Sequence, residues 1–267
     1  MSSDIVSSHW EVEGQGFGDL CKNTLKNRIL KYPKRVFVNS LLRMYACDET
    51  IKSAGINTLK KQNRLLCFDS AKQMLSLTKI CEALRIDTEA NNPLVNNGIK
   101  TVCVIGDGYG FFASLVKEFD PCVKVISINL DKIQKYDRLF ATTNDICYLK
   151  AEEYDKLKNR DINLFISIAA FQEMNYSTIK YYFAYMRSSI GKPACFYCCC
   201  RVAKELSDGT VIEFNKYPWD EKEEKLIDEL CPWYRYEINL IPPFIHKFDG
   251  LVWHRLVKLR KGIGGMI

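Results

Sequence analysis

The sequence KTVCVIGDGYGFFASLVKEFDP, residues 100–121, joins an apolar run to an amphipathic stretch through three closely spaced glycines. These are Gly106, Gly108 and Gly110. Glycine allows a sharp turn and lets the backbone approach a ligand closely, and the apolar residues that follow have helical spacing. The stretch therefore predicts a strand, a tight turn and a helix, with a ligand held at the turn.

The residues after 98 alternate between short β-branched runs and amphipathic stretches. The early runs are apolar almost throughout, which is typical of parallel strands buried on both faces of a sheet. This alternation predicts an α/β fold, a doubly wound Rossmann-like sheet of seven strands. The predicted strands are residues 99–106, 123–130, 145–151, 162–169, 194–200, 236–241 and 251–259.

The N-terminal third of the chain has apolar residues at helical spacing instead. Its longest predicted helix covers residues 59–86. The stretch NNPLVNNG, residues 91–98, then breaks the helical pattern with Asn, Pro and Gly. We therefore predict a helical N-terminal cap region over residues 1–92, lying over the acceptor side of the site, and the α/β domain over residues 93–267.

Composition excludes several classes of protein. The chain has 267 residues, of which 47% are hydrophobic and 12% aromatic, which is enough for a globular core. We find no run of about 18 apolar residues and no basic start followed by an apolar segment, so we expect neither a transmembrane segment nor a signal peptide. The twelve cysteines are expected to be free, reduced thiols, which predicts a cytoplasmic protein.

The net charge of +6 is spread along the chain, with small basic groups at residues 31–35 and 258–261. Groups of this size are typical of solvated faces. Nucleic-acid binding needs a concentrated basic stripe, so we expect no nucleic-acid partner. The charge is compatible with an anionic substrate such as a nucleotide or a phosphorylated sugar.

The glycine spacing discriminates between ligands. A dinucleotide turn has the pattern G-x-G-x-x-G, whereas here the third glycine comes one residue early and Phe111 stands in its place. This disfavours a nicotinamide oxidoreductase, and a tight turn without a ligand stays an alternative. The pattern G-x-G-x-G after a first strand is similar to motif I of class I S-adenosylmethionine-dependent methyltransferases. The resemblance implies S-adenosyl-L-methionine as the cofactor, bound by Gly106, Asp107, Gly108 and Gly110.

Residues at the ends of the next predicted strands complete this cofactor site. Asn129 ends the second strand, where an acidic residue usually reaches the ribose hydroxyls, and an amide can also hydrogen-bond a diol. Glu152 and Glu153 follow the third strand; either one can accept from the adenine amino group, or both are surface carboxylates. Ala169 ends the fourth strand and is included in the predicted cofactor site.

Two later stretches carry a more particular resemblance. They are DINLFISIAAFQEMNYSTIKYYFAYMR and FYCCCRVAKELSDGTVIEFNKYPW, and with their surroundings they cover roughly residues 98–258. They resemble the sugar O-methyltransferase family of bacterial surface-polysaccharide gene clusters. The resemblance implies methyl transfer to a hydroxyl of a sugar, a nucleotide-sugar or a glycan precursor. The chain departs from the family pattern at Cys200, where an Asn is expected before Arg201.

Methyl transfer to a sugar hydroxyl needs a base that takes the hydroxyl proton as the new bond forms. Glu173, after the fourth strand, is a candidate for this base or for orienting the hydroxyl; alternatively it is a helix N-terminal carboxylate. His246 lies between the last two predicted strands and is a second candidate base. Gln172 and Arg201 are predicted to contact the substrate, with a surface ion pair as the alternative for Arg201.

No metal site is predicted. The cysteine-rich run CFYCCC, residues 195–200, reads as a strand whose alternate thiols face opposite sides, and no second pair follows at ligand spacing. His254 lies mid-strand, which is typical of a structural histidine. Two alternatives stay open: a methyltransferase with another acceptor, and a non-catalytic binding protein on a methyltransferase fold. The neutral Asn129 favours the second.

Overall fold

The computed structural model describes residues 22–157, 160–188, 194–238 and 245–260. The helices are α1 (Leu25–Leu30), α2 (Tyr32–Met44), α3 (Glu49–Lys61), α4 (Phe68–Leu84), α5 (Pro93–Asn96), α6 (Phe111–Phe119), α7 (Asp131–Leu139) and α8 (Tyr176–Ser188). The strands are β1 (Thr101–Ile105), β2 (Lys124–Asn129), β3 (Ile146–Lys150), β4 (Leu164–Ile168), β5 (Ala194–Arg201), β6 (Ala203–Glu205), β7 (Val211–Glu213), β8 (Glu224–Leu230), β9 (Tyr236–Ile238), β10 (Ile245–Lys247) and β11 (Val252–Leu259).

Seven of the strands form one sheet in the order β3-β2-β1-β4-β5-β11-β8. Strands β1 to β5 pair in parallel, and β11 runs antiparallel to β5 and β8. This confirms the predicted doubly wound Rossmann-like sheet with the strand order of the class I methyltransferase fold. The order reverses between β1 and β4, so these two strands flank the position where ligands bind in such sheets. The carboxyl ends of β1 to β5 and β8 share one edge, called here the carboxyl edge.

The prediction of the sixth sheet strand was wrong. That strand is β8, and the predicted segment 236–241 instead contributes Tyr236–Ile238 to a two-stranded sheet with β10. The remaining residues, 239–241, lie outside the described residues. Strand β8 is at the edge of the sheet and mostly exposed, so its sequence, EKLIDEL, is charged rather than apolar. Charged edge strands of this kind prevent pairing with other chains.

The predicted helix over residues 59–86 is two helices, α3 and α4. Helix α3 ends because Asn63 adopts a left-handed conformation with φ of 51°. The backbone N–H of Arg64 then donates to the carbonyl of Leu59, a closing pattern that glycine or asparagine usually provides. The polar residues around this break have the composition of an exposed helix face, which is why the sequence pattern did not reveal it.

The helices α2, α3 and α4 pack against α6 and one face of the sheet. Their buried side chains, among them Leu42, Ile51 and Met74, belong to the same hydrophobic core as Val102 of β1 and Phe112 of α6. The boundary between residues 92 and 93 stays a prediction. Among the described helices, none is long and apolar enough to cross a membrane.

The opposite face of the sheet is covered by α8 and by aromatic residues that follow β5. The Phe183 ring of α8 lies 5.4 Å from the Phe196 ring and 4.9 Å from the Trp219 ring. Phe183 and Phe196 are fully buried. Edge-to-face contacts of this type stabilise a core beyond the burial of the rings alone.

We expect Phe183→Ala to lower the free energy of unfolding by about 3–5 kcal/mol, because the ring is lost and a cavity remains. Urea denaturation followed by tryptophan fluorescence measures this change. Leu139→Ala is the control, since that side chain is 72% exposed. It should change the free energy of unfolding by less than about 0.5 kcal/mol. Similar losses in both variants would contradict the packing described for α8.

Candidate active site

The glycine turn connects β1 to α6 at the carboxyl edge. Gly106, Gly108 and Gly110 have φ values of 73°, 64° and 68°, in the left-handed region that favours glycine. The N–H of Gly106 donates to the carbonyl of Ile128 in β2, at 2.8 Å. A side chain on Gly110 would place its Cβ 3.1 Å from the carbonyl oxygen of Asp137 in α7. The turn therefore requires glycine both for its conformation and for its close contact with α7.

A small cleft lies beside this turn, between β1 and β4. It is lined by Gln73, Val104, Gly106, Asp107, Phe112, Ile166 and Ile168. The side-chain oxygen of Gln73, from α4, is buried and has no hydrogen-bond partner among the described residues. This cleft is far smaller than the roughly 300–1,000 Å³ that small-molecule sites usually enclose, so it could hold only a small part of a nucleoside-sized ligand.

The carboxylate of Asp107 caps helix α6. Its two oxygens accept hydrogen bonds from the backbone N–H groups of Phe112 and Ala113, at 2.8 and 2.7 Å. Burial raises the pKa of Asp107 to about 6, and the two backbone donors oppose that rise. These contacts give Asp107 a structural role at the turn, and its predicted contact with the cofactor stays a prediction.

Asn129 ends β2 as predicted, but its side chain is engaged inside the protein. Its Nδ2 donates to Oδ2 of Asp137 at 3.0 Å, and its Oδ1 accepts from the N–H of Leu130 at 3.0 Å. Asn129 is only 3% exposed. The amide is thus held by α7, and a ribose contact by Asn129 stays a prediction.

Asp137 is one of the residues that the sequence interpretation missed. It is fully buried, and its Oδ1 has no hydrogen-bond partner among the described residues. Burial and, next, the charge of Asp107 raise the pKa of Asp137 to about 8. The sequence signal that could have revealed a buried Asp137 was its spacing. It lies four residues after Ile133, on the buried face of α7.

Two further predicted cofactor residues lie at the same edge. Glu152 is in the 3₁₀ helix Ala151–Leu157 after β3, and its Oε2 is buried without a hydrogen-bond partner in the described part of the chain. Ala169 follows β4 with φ of 62°, which is strained for a residue with a side chain. Its N–H donates to the carbonyl of Cys199 at 2.8 Å. Strained backbone and unpaired buried acceptors are both common at binding sites.

Gln172, Glu173 and Arg201 form one hydrogen-bonded group, while their predicted roles stay predictions. The Oε1 of Gln172 accepts from the N–H of Arg201 at 2.7 Å, and its Nε2 donates to Oε1 of Glu173 at 3.1 Å. The other carboxylate oxygen of Glu173 pairs with the ammonium of Lys204 in β6. Lys204 was not predicted. It reaches Glu173 only because β6 packs against the 3₁₀ helix Phe171–Glu173.

The Arg201 side chain faces the connection between β8 and β11. Its Nη1 lies 3.1 Å from Oδ2 of Asp249, and its guanidinium lies 5.6 Å from the centre of the Phe248 ring. His246 is in β10 of the same connection, paired in register with Glu237. The predicted location of His246 at the carboxyl edge is therefore consistent with the fold, while its role as a base stays a prediction.

The cysteine-rich strand and His254 are buried in the sheet. Cys198 and Cys200 lie on the same side of β5 with their sulfur atoms 3.8 Å apart. His254 Nδ1 lies 3.2 Å from the Tyr197 hydroxyl, and its Nε2 lies 3.4 Å from Glu229. Burial lowers the pKa of His254. Within the described ranges, no cluster of His, Cys, Asp and Glu side chains could hold a metal ion.

No protein-family model and no curated protein sequence matches the chain. The chain is similar to the structure of Thermoplasma acidophilum 1320, with 13% identity and a TM-score of 0.49, over 80% of this chain and 98% of that one. It is similar to coclaurine N-methyltransferase bound to N-methylheliamine and SAH, with 10% identity and a TM-score of 0.48, over 72% and 73% of the two chains.

A third similar structure is an S-adenosylmethionine dependent methyltransferase from Mesorhizobium loti, with 12% identity and a TM-score of 0.37, over 60% of this chain and 90% of that one. All three identities lie below 25% and all three TM-scores lie below 0.5. The ligands and substrates of these proteins are therefore not transferred to this chain.

The buried pair of Asp107 and Asp137 makes stability depend on pH. Between the usual aspartate range and about pH 8, the folded protein binds more protons than the unfolded chain, because the pKa values are raised on folding. The free energy of unfolding should therefore fall as the pH rises through this window. We expect a loss of at least about 1 kcal/mol between about pH 5 and pH 8, and a smaller loss in Asp137→Asn.

Urea denaturation at several pH values measures this dependence. Asp145→Asn is the control, because that carboxylate is exposed at the start of β3. Its pH profile should match that of the unmodified protein. A profile of Asp137→Asn as steep as that of the control would contradict a buried, protonated Asp137.

Proposed function

We propose that this protein is an S-adenosyl-L-methionine-dependent O-methyltransferase that acts on a hydroxyl of a sugar or glycan precursor. The observation that carries the proposal is the turn of three left-handed glycines at the point where the strand order reverses. Such a turn lets backbone N–H groups approach a nucleoside at the carboxyl edge. The hydroxyl and sugar specificity rests on the sequence resemblance.

The residues present fit this cofactor in two respects. The unpaired Oε2 of Glu152 is an acceptor for the adenine amino group, and the unpaired oxygen of Gln73 is an acceptor inside the pocket beside the turn. One feature fits less well, since Asn129 is hydrogen-bonded to Asp137 instead of facing the pocket. When bound, the cofactor supplies an activated methyl group on a sulfonium.

The acceptor side of the mechanism uses Glu173 and its partners. Gln172 and Lys204 hold the Glu173 carboxylate in one orientation. A carboxylate held in this way can orient an acceptor hydroxyl and take its proton as the new bond forms. Arg201 is suited to an anionic group such as a phosphate, because such a group could take the place of its exposed partner Asp249. His246 is the second candidate for the base.

A second candidate function is a binding protein without catalysis on the same fold. The specific observation in its favour is the hydrogen bond from Asn129 to Asp137. Because of it, the side chain at the usual ribose-binding position does not face the pocket. Cofactor binding distinguishes the two candidates.

The proposal predicts that S-adenosylhomocysteine stabilises the protein and that NAD does not. At about a hundred times its dissociation constant, the ligand should add about 2.7 kcal/mol, which corresponds to a rise in melting temperature of roughly 5–10 °C. Gly108→Val should abolish the shift, because its side chain would occupy the space of the nucleoside. Thermal unfolding with each ligand measures both effects.

The matched control is Gly98→Val. Gly98 has the same left-handed conformation, with φ of 82°, but precedes β1 at the opposite edge of the sheet, with open space around it. It should keep the full shift relative to its own melting temperature. An unmodified protein that responds to neither ligand would favour the binding-protein alternative.

Glu173→Gln should leave the affinity for S-adenosylhomocysteine unchanged and lower methyl transfer at least tenfold, or about 1.4 kcal/mol of barrier. Methyl transfer from labelled S-adenosylmethionine to free, nucleotide-linked and lipid-linked sugars measures this. Glu205→Gln is the control, since that exposed carboxylate is next to Lys204 on the other face of β6. If His246→Asn loses the activity and Glu173→Gln keeps it, the base is His246.

A further inference from the structure

Helices α1 and α2 present apolar side chains to the outside of the protein. Helix α1 has no buried residue at all. The exposed apolar side chains are Leu25 (74%), Ile29 (66%), Leu30 (56%), Tyr32 (62%) and Val36 (48%). A helix of this length does not persist in water by itself, so its apolar residues indicate a surface that another body covers.

The same segment is strongly basic. Residues 22–47 contain seven basic side chains and no acidic one. The basic residues are Lys22, Lys26, Arg28, Lys31, Lys34, Arg35 and Arg43. The whole chain has a net charge of +6, so this segment accounts for all of the excess. Among the described residues, no carboxylate forms a salt bridge with Lys26, Arg28 or Lys34. We call residues 22–36 with these side chains the basic apolar surface.

The basic apolar surface adjoins the acceptor side of the candidate site. The ring of Phe37 in α2 lies 6.3 Å from that of Phe68. The ammonium of Lys72, from α4, lies 4.0 Å from the centre of the Phe68 ring and 5.0 Å from that of Phe248. Phe248 in turn lies under the guanidinium of Arg201. A continuous series of contacts thus joins α2 to the predicted substrate residue Arg201.

We propose that the basic apolar surface binds an anionic lipid surface. Cations combined with exposed leucine, isoleucine and tyrosine side chains are the pattern by which short helices lie in a membrane interface. A nucleic acid would use the cations but not the apolar side chains. A second copy would place six basic residues against six, and such like-charge contacts are unfavourable.

If the proposed methyltransferase function is taken as the basis, this location bears on which substrate the protein uses. A protein bound through α1 and α2 holds its acceptor side close to the lipid headgroups. An acceptor sugar linked to a lipid phosphate would then reach Arg201 without leaving the membrane. Lipid binding itself requires neither cofactor nor acceptor, so its test is independent of the proposed reaction.

Sedimentation with lipid vesicles tests the proposal on the full chain. We expect the protein to sediment with vesicles of phosphatidylcholine and phosphatidylglycerol but not with phosphatidylcholine alone, and to dissociate as salt rises. The double variant Lys26→Gln with Arg28→Gln should bind about thirtyfold more weakly, because each cation near such a surface contributes about 1 kcal/mol. Leu25→Ser with Ile29→Ser should bind at least tenfold more weakly.

The matched control is Leu139→Ser with Lys132→Gln, which removes an exposed leucine and a lysine from α7. It should bind the anionic vesicles as the unmodified protein does. Melting temperatures and the shift with S-adenosylhomocysteine check that all variants are folded, and they report separately on the cofactor site.

Four results would overturn the proposal. The unmodified protein could stay in the supernatant with anionic vesicles at low salt. That is expected if residues 1–21, with four acidic and no basic side chains, cover the surface. The control variant could lose binding as strongly as the others. The leucine and isoleucine substitutions could leave binding unchanged, with duplex DNA bound equally well, which would indicate a general polyanion surface. They could also abolish a dimer and not vesicle binding, which would assign the surface to a second copy.

Discussion

One backbone hydrogen bond, from the N–H of Gly106 to the carbonyl of Ile128, fixes the end of β1 against β2. The rest of the site depends on that position. It sets where the chain leaves the sheet, so Asp107 meets the first N–H groups of α6 and Gly110 meets the backbone of α7. Because β1 is fully buried between β2 and β4, the turn cannot shift without disturbing both neighbouring strands.

The sequence predicted the parts of the fold that have a regular pattern. Apolar runs identified the buried strands, and the glycines identified the turn, because both properties are local. Strand β8 escaped prediction since an edge strand buries little and can be charged. The break at Asn63 was not predicted because the sequence does not show that Asn63 is left-handed. An asparagine is also found on exposed helix faces. Both failures have one cause. Neither strand β8 nor the break at Asn63 is marked by a regular pattern of buried apolar residues.

The candidate site was predictable to a similar degree. Residues that follow strands, such as Glu152 and Gln172, were predicted because parallel strands end at one edge, and their roles stay predictions. Asp137 and Lys204 were not, because each reaches the site only through packing of an element that is distant in sequence. Asp137 is a buried acidic residue of α7 whose Oδ2 accepts a hydrogen bond from Asn129 at the end of β2.

The two halves of the candidate site, the proposed cofactor side and the proposed acceptor side, are held by different forces. On the cofactor side, backbone conformation and close contact between α6 and α7 define the shape, and almost any side chain at Gly110 would disturb it. On the acceptor side, the shape depends on side-chain contacts among Gln172, Glu173, Lys204 and Arg201, and on a loop carrying Phe248. Single substitutions can rearrange such contacts without altering the backbone. Under the proposed function, descendants of this chain would therefore change acceptors by small evolutionary steps while inheriting the cofactor half unaltered.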